Sequence, residues 1–298
     1  MKKIIILAGA IGLSFSAIFV RLANANSVAL AFYRMFFAAA LLVPVALWKH
    51  KEEIKHITGK QWLLCAVSGI FLGFHFTCFF ESLDYTTIAS TTVLVDTEVF
   101  FVTLIGCLFE KEKITLQGII GILLAFSGSL IITLGAAGES SNMVLGDALA
   151  LIGAVFIAIH VRMGKHCRTN ISTTVYTAIV YFFAAVCLGV EMMLRGISFG
   201  GYDSYNYLLA LGLTVFCTFL GHSIFNWGLK YEKATFVSMA KLLEPVFASA
   251  MGAVLFREIP DVRMAIGCVL VIAGIVYYIL RGNKEESVSA SGQVRSGE

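Results

Sequence analysis

Charge is scarce in this chain: Asp, Glu, Lys and Arg supply 14% of its 298 residues, against about 25% in ordinary soluble domains. Hydrophobic residues supply 58%, more than a soluble globule can hide, roughly 45–50% being usual. The sequence contains no H-E-x-x-H, no G-x-S-x-G, no Walker A loop and no hydrophilic domain. These absences remove the usual signatures of a metalloprotease, a serine hydrolase and a self-contained ATP-driven pump. A net charge of +3, with Lys and Arg scattered through short connectors, excludes the basic face that grips nucleic acid. The seven cysteines lie almost entirely in apolar stretches, odd in number and without paired metal-ligand spacing. They read as free thiols that pack like small hydrophobes, and no cofactor or metal is expected.

What is present is a series of apolar runs of membrane-crossing length, about 20 residues each at 1.5 Å per residue. They fall near 4–20, 28–48, 61–80, 88–109, 116–134, 144–163, 173–194, 208–229, 236–256 and 262–280, which predicts an all-α polytopic membrane protein with ten transmembrane helices. With the N-terminus inside, sixteen of the 22 Lys and Arg residues fall in inside connectors and four in outside ones, leaving Arg34 and Lys241 within the membrane. By the positive-inside rule both termini are then cytoplasmic, in an inner or plasma membrane. Residues 282–298 turn to Gly, Ser, Asn, Glu and Gln, a composition expected to form a disordered cytoplasmic tail.

The chain repeats itself. An offset of 146 superposes Leu83 and Tyr85 on Leu229 and Tyr231, Glu98 on Glu244, Glu112 on Glu258, Gly121 on Gly267 and Gly128 on Gly274. Near the start of each half the offset is 141: Ile11, Gly12, Phe15, Ala17, Ile18, Val20 and Arg21 recur as Ile152, Gly153, Phe156, Ala158, Ile159, Val161 and Arg162. The basic start followed by an apolar run and Ala23-Asn24-Ala25 imitates a cleavable signal peptide, yet the repeat makes that first helix an integral element. Two units follow, 1–138 and 142–281. Five helices in each force the second to enter the membrane from the opposite side, so the ten helices form two inverted five-helix repeats. Inverted repeats of transporters put the substrate near the bilayer midplane and alternate access by exchanging the two arrangements.

Phe32-Tyr33-Arg34, Leu243-Glu244-Pro245-Val246-Phe247-Ala248, and a Glu followed by a Gly-rich last helix in each half (Glu112 with Gly121 and Gly128; Glu258 with Gly267 and Gly274) resemble the drug/metabolite transporter superfamily, in proteins built from two EamA-type domains. The resemblance spans nearly all of 1–280. It implies ten helices, a central cavity lined by helices 1, 3, 4, 6, 8 and 9, and outward movement of a small metabolite such as an amino acid or related compound. Its motifs are chiefly structural, so they identify the fold better than the substrate.

Buried ionisable groups cost roughly 2.5–3.5 kcal/mol each on insertion scales, so they face the bundle interior with a partner. Glu98 and Glu244 fall about 15 and 12 Å into their helices. Both are candidates to bind a cationic group or carry a coupling proton, or to pair permanently with Arg34 and Lys241. Lys241 and Glu244 are three apart on one predicted helix and share a face. Pro245 takes a donor from that helix and marks a local break, the best single pointer to the site. Arg34 could hold a substrate carboxylate, though its place in the family-like segment favours a structural acid partner. Asp96 sits two residues from Glu98, roughly 200° around a continuous helix, which turns it away from any cavity Glu98 faces. His75, His222 and Asn226 are candidate pore-lining hydrogen-bonding groups, against the simpler reading of histidines satisfied by a carbonyl. Phe74, Phe79, Phe225, Trp227 and Tyr33 could form an aromatic wall or merely pack. Small residues spaced by four, Ala8, Gly12 and Ser16, and Gly146, Ala150, Ala154 and Ala158, form ridges on which the first and sixth helices could cross.

The expected function is a permease with the lipid bilayer and a small-molecule substrate as partners. Self-association as a homodimer stays open. The rival is an intramembrane enzyme acting on a lipid-like or small polar substrate, since buried polar residues also build active sites. A partner or sensor subunit is a third reading, against which the insertion cost of the midplane charges argues.

Overall fold

The computed structural model describes residues 1–86, 88–134, 143–256 and 262–282. The expected tail, Glu258 and the junction between the two halves lie outside the described residues, apart from Gly282 of the tail. All elements among the described residues are helical. In chain order they are α1 (Lys2–Leu13), α2 (Ser16–Leu22), α3 (Ser27–Lys49), α4 (Lys51–Lys55), α5 (Gly59–Tyr85), α6 (Ile88–Asp96), α7 (Glu98–Phe109), α8 (Leu116–Leu134), α9 (Met143–Cys167), α10 (Thr173–Leu194), α11 (Ser204–Gly212), a π-helical stretch (Leu213–His222), α12 (Ser223–Gly228), α13 (Ala234–Lys241), α14 (Glu244–Phe256), α15 (Val262–Tyr277) and a short π-helical end (Tyr278–Gly282). Eight helical runs are long and apolar enough to cross a membrane; Leu116–Ile132 is a shorter apolar helix.

Polar caps start the long helices where apolar runs begin. The Asn26 side chain accepts from the Val28 and Ala29 amides ahead of α3, Thr58 and Gln61 close a capping box on α5, and Ser172 accepts from the Val175 amide at α10. Each satisfies amides that have no intrahelical partner. The helix-4 and helix-9 regions, expected as single helices over 88–109 and 236–256, are each broken, and so is the first helix at Ser14–Phe15.

Glycines set the closest approaches, because backbone meets backbone only where no Cβ intervenes. A Cβ on Gly274 would stand 2.7 Å from the Gly121 carbonyl oxygen, and one on Gly128 would stand 2.6 Å from that of Gly267. Position 121 thus faces 274 while 128 faces 267, so α8 and α15 run antiparallel. The α5–α9 pair is antiparallel as well, Thr86 lying at Gly146, His75 at Gly153 and Ser68 at His160. So is α1 against the irregular helix 213–228, with Ile6 at Gly228 and Leu13 at Gly221. The small-residue ridges therefore serve other partners than expected. Gly12 seats the backbone of Phe216 to Gly221, and Gly146 and Gly153 seat α5, rather than bringing α1 onto α9.

Candidate functional site: a cavity between two broken helices

α6 ends at Asp96 and α7 begins at Glu98; α13 ends at Lys241 and α14 begins at Glu244. Adding the repeat offset of 146 carries 96 to 242 and 98 to 244, so the two halves break at the same place, and each carboxylate opens a half-helix. An acid in the first turn is favoured by the amide dipoles there. The causes differ between halves. In the second, Pro245 lies in the first turn of α14, where a missing N–H leaves no intrahelical bond unmade. In the first, the Thr97 hydroxyl donates to the Leu94 carbonyl and the Thr97 amide reaches the same oxygen at 3.3 Å, a hydroxyl back-bond of the kind that bends helices.

The breaks flank a cavity of about 50 Å³, room for a few waters at roughly 10–15 Å³ each. Arg34, His75, Glu98, His222, Lys241 and Glu244 all line it. Asn226 does not; it is buried one turn beyond His222, and its Nδ2 has no hydrogen-bond partner among the described residues. Asp96 also lines the cavity, beside Val95, contrary to the expectation that it points away from Glu98. The break at Thr97 removes the continuous helical register on which that expectation rested. Its carboxylate accepts from Ser129 Oγ at 2.8 Å.

The charges are not paired as the spacing suggested. Lys241 and Glu244 do not share a helical face, since the chain breaks between them. Lys241 Nζ instead crosses to Glu98, 2.8 Å from Oε1 and 3.0 Å from Oε2, both side chains being almost wholly buried. Arg34 has no acid partner among the described residues. Its Nε donates to Thr218 Oγ1 at 2.9 Å, its guanidinium carbon lies 4.3 Å from the centre of the Phe76 ring, and its Nη2 has no hydrogen-bond partner. Thr218 belongs to the π-helical stretch, so the irregular backbone there is what presents its hydroxyl to α3. Glu244 lines the cavity with no ion pair or side-chain hydrogen bond among the described residues; only its backbone carbonyl accepts, from Ser14 Oγ at 3.1 Å.

His75 takes the plainer role on one side, its Nδ1–H donating to the Gly153 carbonyl at 3.0 Å, while its ring still borders the cavity. His222 meets the Phe76 ring edge-on, with centroids 5.4 Å apart. The aromatic wall is made by Phe76 and Phe79. Among the other residues expected to build it, Phe74 packs against Phe156, Tyr33 joins Tyr202 and Tyr207, and Trp227 packs at a tilt against Tyr231, while the Phe225 ring lies 5.8 Å from Lys241 Nζ. Sequence reasoning did not single out Phe76 as a site residue; its repeat equivalence to His222, 146 positions on, was the available signal. No cluster of His, Cys, Asp or Glu suited to a metal occurs among the described residues.

Comparison with known proteins gives a consistent answer. The model of a family described as "EamA-like transporter family" matches residues 2–134 and again 144–280. An uncharacterized transporter of Archaeoglobus fulgidus is 26% identical over 270 residues, covering 88% of this chain and 91% of that protein. Pseudopaline exporter CntI of Pseudomonas aeruginosa is 24% identical, covering 70% of this chain and 72% of its own. A solved crystal structure superposes with a TM-score of 0.78 at 14% identity, covering 95% of this chain and 99% of that one, a likeness of fold.

Proposed function

Since the chain belongs to the EamA-like transporter family, we propose that it is an exporter of a small zwitterionic metabolite, such as an amino acid or related compound, working by alternating access around the cavity between the broken helices. Transport across a membrane is the family's activity; the substrate, direction and mechanism are the reading offered here. Eight long spans, the shorter apolar helix Leu116–Ile132 and the pair α13–α14, if each crosses, support the reading of ten crossings. The antiparallel packing of α8 on α15, repeat-related helices at equivalent glycines, is what two inverted units produce. Cytoplasmic termini follow from the charge bias of the connectors. The name of the Pseudomonas relative supports outward movement.

One observation carries the substrate class: among the described residues, the cavity holds a cationic group and a carboxylate that have no ion-pair partner, beside an ion pair that is already closed. Lys241–Glu98 pins the two broken helices together. Arg34 Nη2, buried and without a hydrogen-bond partner among the described residues, is left to receive a substrate carboxylate, and Glu244 to receive an ammonium group or a coupling proton. Phe76 and Phe79 supply the apolar side. The cavity holds only a few waters in this closed form, so entry of a metabolite requires the half-helices to part.

The test is uptake of a metabolite panel by inverted vesicles, with and without a pH gradient. A charge-assisted hydrogen bond contributes about 1.5–3 kcal/mol, so Arg34→Gln is expected to cut uptake of zwitterions roughly ten- to a hundredfold. Glu244→Gln should also abolish the response to the gradient. Equal uptake and equal pH response in wild type and both variants would remove these residues from the mechanism.

A further inference from the structure

On the outside of the bundle, α3 and α10 enclose an open groove in two connected parts, of about 540 Å³ and 220 Å³, which share Val43 and Phe182 and are lined by apolar side chains and glycine. The two helices run antiparallel, Phe32 lying at Gly189 while Leu47 shares the narrower part with Val175. From Val175 to Met193 the groove follows α10 for about 27 Å at 1.5 Å per residue, close to the roughly 30 Å of a hydrocarbon core. Its walls are symmetric. Phe36-Phe37-Ala38-Ala39 recurs as Phe182-Phe183-Ala184-Ala185 at the offset of 146, and Phe36, Ala39, Phe182 and Ala185 all line the groove. α3 and α10 are therefore repeat-equivalent helices that offer an occupant the same apolar surface in either direction.

The two ends differ in charge. At the face that carries the N-terminus, Ile54 of α4 and Trp62 of α5 border the narrower part. Lys51 lies one turn before Ile54, Lys49 two residues after Leu47, and Lys60 two residues before Trp62; all three are exposed, and none has an ion-pair partner among the described residues. The acids of that end are occupied. Glu52 holds Lys55 at 2.7 Å, while Glu53 meets His50 Nδ1 at 3.1 Å and accepts from the Ser172 amide at 2.5 Å. Trp48, 81% exposed, and Trp62 mark the level of the headgroups, where indoles settle. At the opposite end Phe199 stands edge-on to Phe32 at 5.3 Å, and Arg195 is held by Glu81 and Glu191. An apolar slot with unpaired cations at this end fits a molecule with an apolar tail and an anionic head. We propose that the α3/α10 groove is a site for an anionic phospholipid of the leaflet at the N-terminal face, with its headgroup among Lys49, Lys51 and Lys60 and one acyl chain in the groove. Lipid tails gain little by exchanging one apolar surface for another, so the headgroup supplies the selectivity, roughly fivefold for each lysine. A second copy of the chain fits worse, because a twofold axis along the membrane normal would bring these unpaired lysines against their own counterparts. The proposal rests on the chain's spanning a membrane and not on what it transports.

Quenching of Trp62 tests the site. With Trp48→Phe and Trp227→Phe, Trp62 is the one tryptophan left, and its fluorescence is followed in vesicles as phospholipid brominated along the acyl chain replaces unlabelled lipid. Brominated phosphatidylglycerol should quench it at a mole fraction roughly tenfold or more below that of brominated phosphatidylcholine. Lys49→Gln/Lys51→Gln/Lys60→Gln, all at exposed residues, should erase most of that preference. Val43→Phe, which fills the junction of the two parts and changes no charge, should lower quenching by phosphatidylglycerol. Equal quenching by the two lipids, a preference that survives the lysine changes, or quenching that Val43→Phe leaves untouched would overturn the site. A stable dimer in light scattering that Val43→Phe dissociates would give the groove to a second copy and overturn the lipid as its occupant.

Discussion

Lys241→Met should destabilise the folded protein by about 3–5 kcal/mol, the cost of leaving one member of a buried ion pair without its partner. Both oxygens of Glu98 lie within 3.0 Å of Lys241 Nζ and neither side chain is more than 9% exposed, so bulk solvent does not reach the orphaned carboxylate and the few waters the cavity has room for screen it only in part. Arg34 cannot replace the lost cation, because Thr218 and Phe76 hold it in place. The double variant Lys241→Met/Glu98→Gln removes both charges and should recover most of the lost stability, since a buried ion pair can be replaced by neutral groups at little net cost. Thermal-unfolding midpoints in detergent report both outcomes. A single variant as stable as wild type would show that Glu98 does not depend on Lys241 and would dissolve the pin between α7 and α13. Zwitterion transport by a restored double variant would further assign the pair to holding the half-helices and leave binding to Arg34 and Glu244.

The site was legible in the sequence to the extent that local chemistry announces it. Pro245 marked the break between α13 and α14 correctly because proline acts on its own backbone, whatever surrounds it. Arg34, Glu98, Lys241 and Glu244 could be placed in the interior because charge in hydrocarbon is too costly to leave facing lipid. The partnerships were not legible. Lys241 and Glu244 looked like neighbours only on an unbroken helix, and a helical spacing argument fails once the chain turns between them. The break at Thr97 carries no glycine or proline; its local cause is a hydroxyl bonding back to a carbonyl, a signal that threonines inside straight helices also carry. With that break unread, Asp96 was turned away from a cavity it lines. The repeat held the missing information, since a break at 242–243 implied one at 96–97. The π-helical stretch Leu213–His222, which aims Thr218 at Arg34, has no sequence signature of its own and depends on packing against α1 and α3.

The glycine crossing of α8 and α15 tests the inverted arrangement independently of any transport assay. Gly274→Ala puts a methyl group 2.4 Å from the Ala125 amide nitrogen and 2.7 Å from the Gly121 carbonyl oxygen. Backbone atoms on both sides leave no rotamer to absorb the clash, so the helices must separate, at about 1–3 kcal/mol for overpacking of this kind. Gly128→Ala, the repeat-equivalent change, meets the Gly267 carbonyl oxygen and the Val271 amide nitrogen at 2.6 Å each and should cost a similar amount. Combining the two should cost less than their sum, because the first substitution already moves apart the helices that the second would strain. Gly59→Ala, where nothing lies within 4 Å of the added methyl, should stay within about 0.5 kcal/mol of wild type. Equal losses at the two equivalent positions are what a pseudo-twofold axis through this helix pair requires. A large loss at Gly274 with none at Gly128 would mean that the two halves do not meet there symmetrically, and the alternating access proposed on that symmetry would lose its footing.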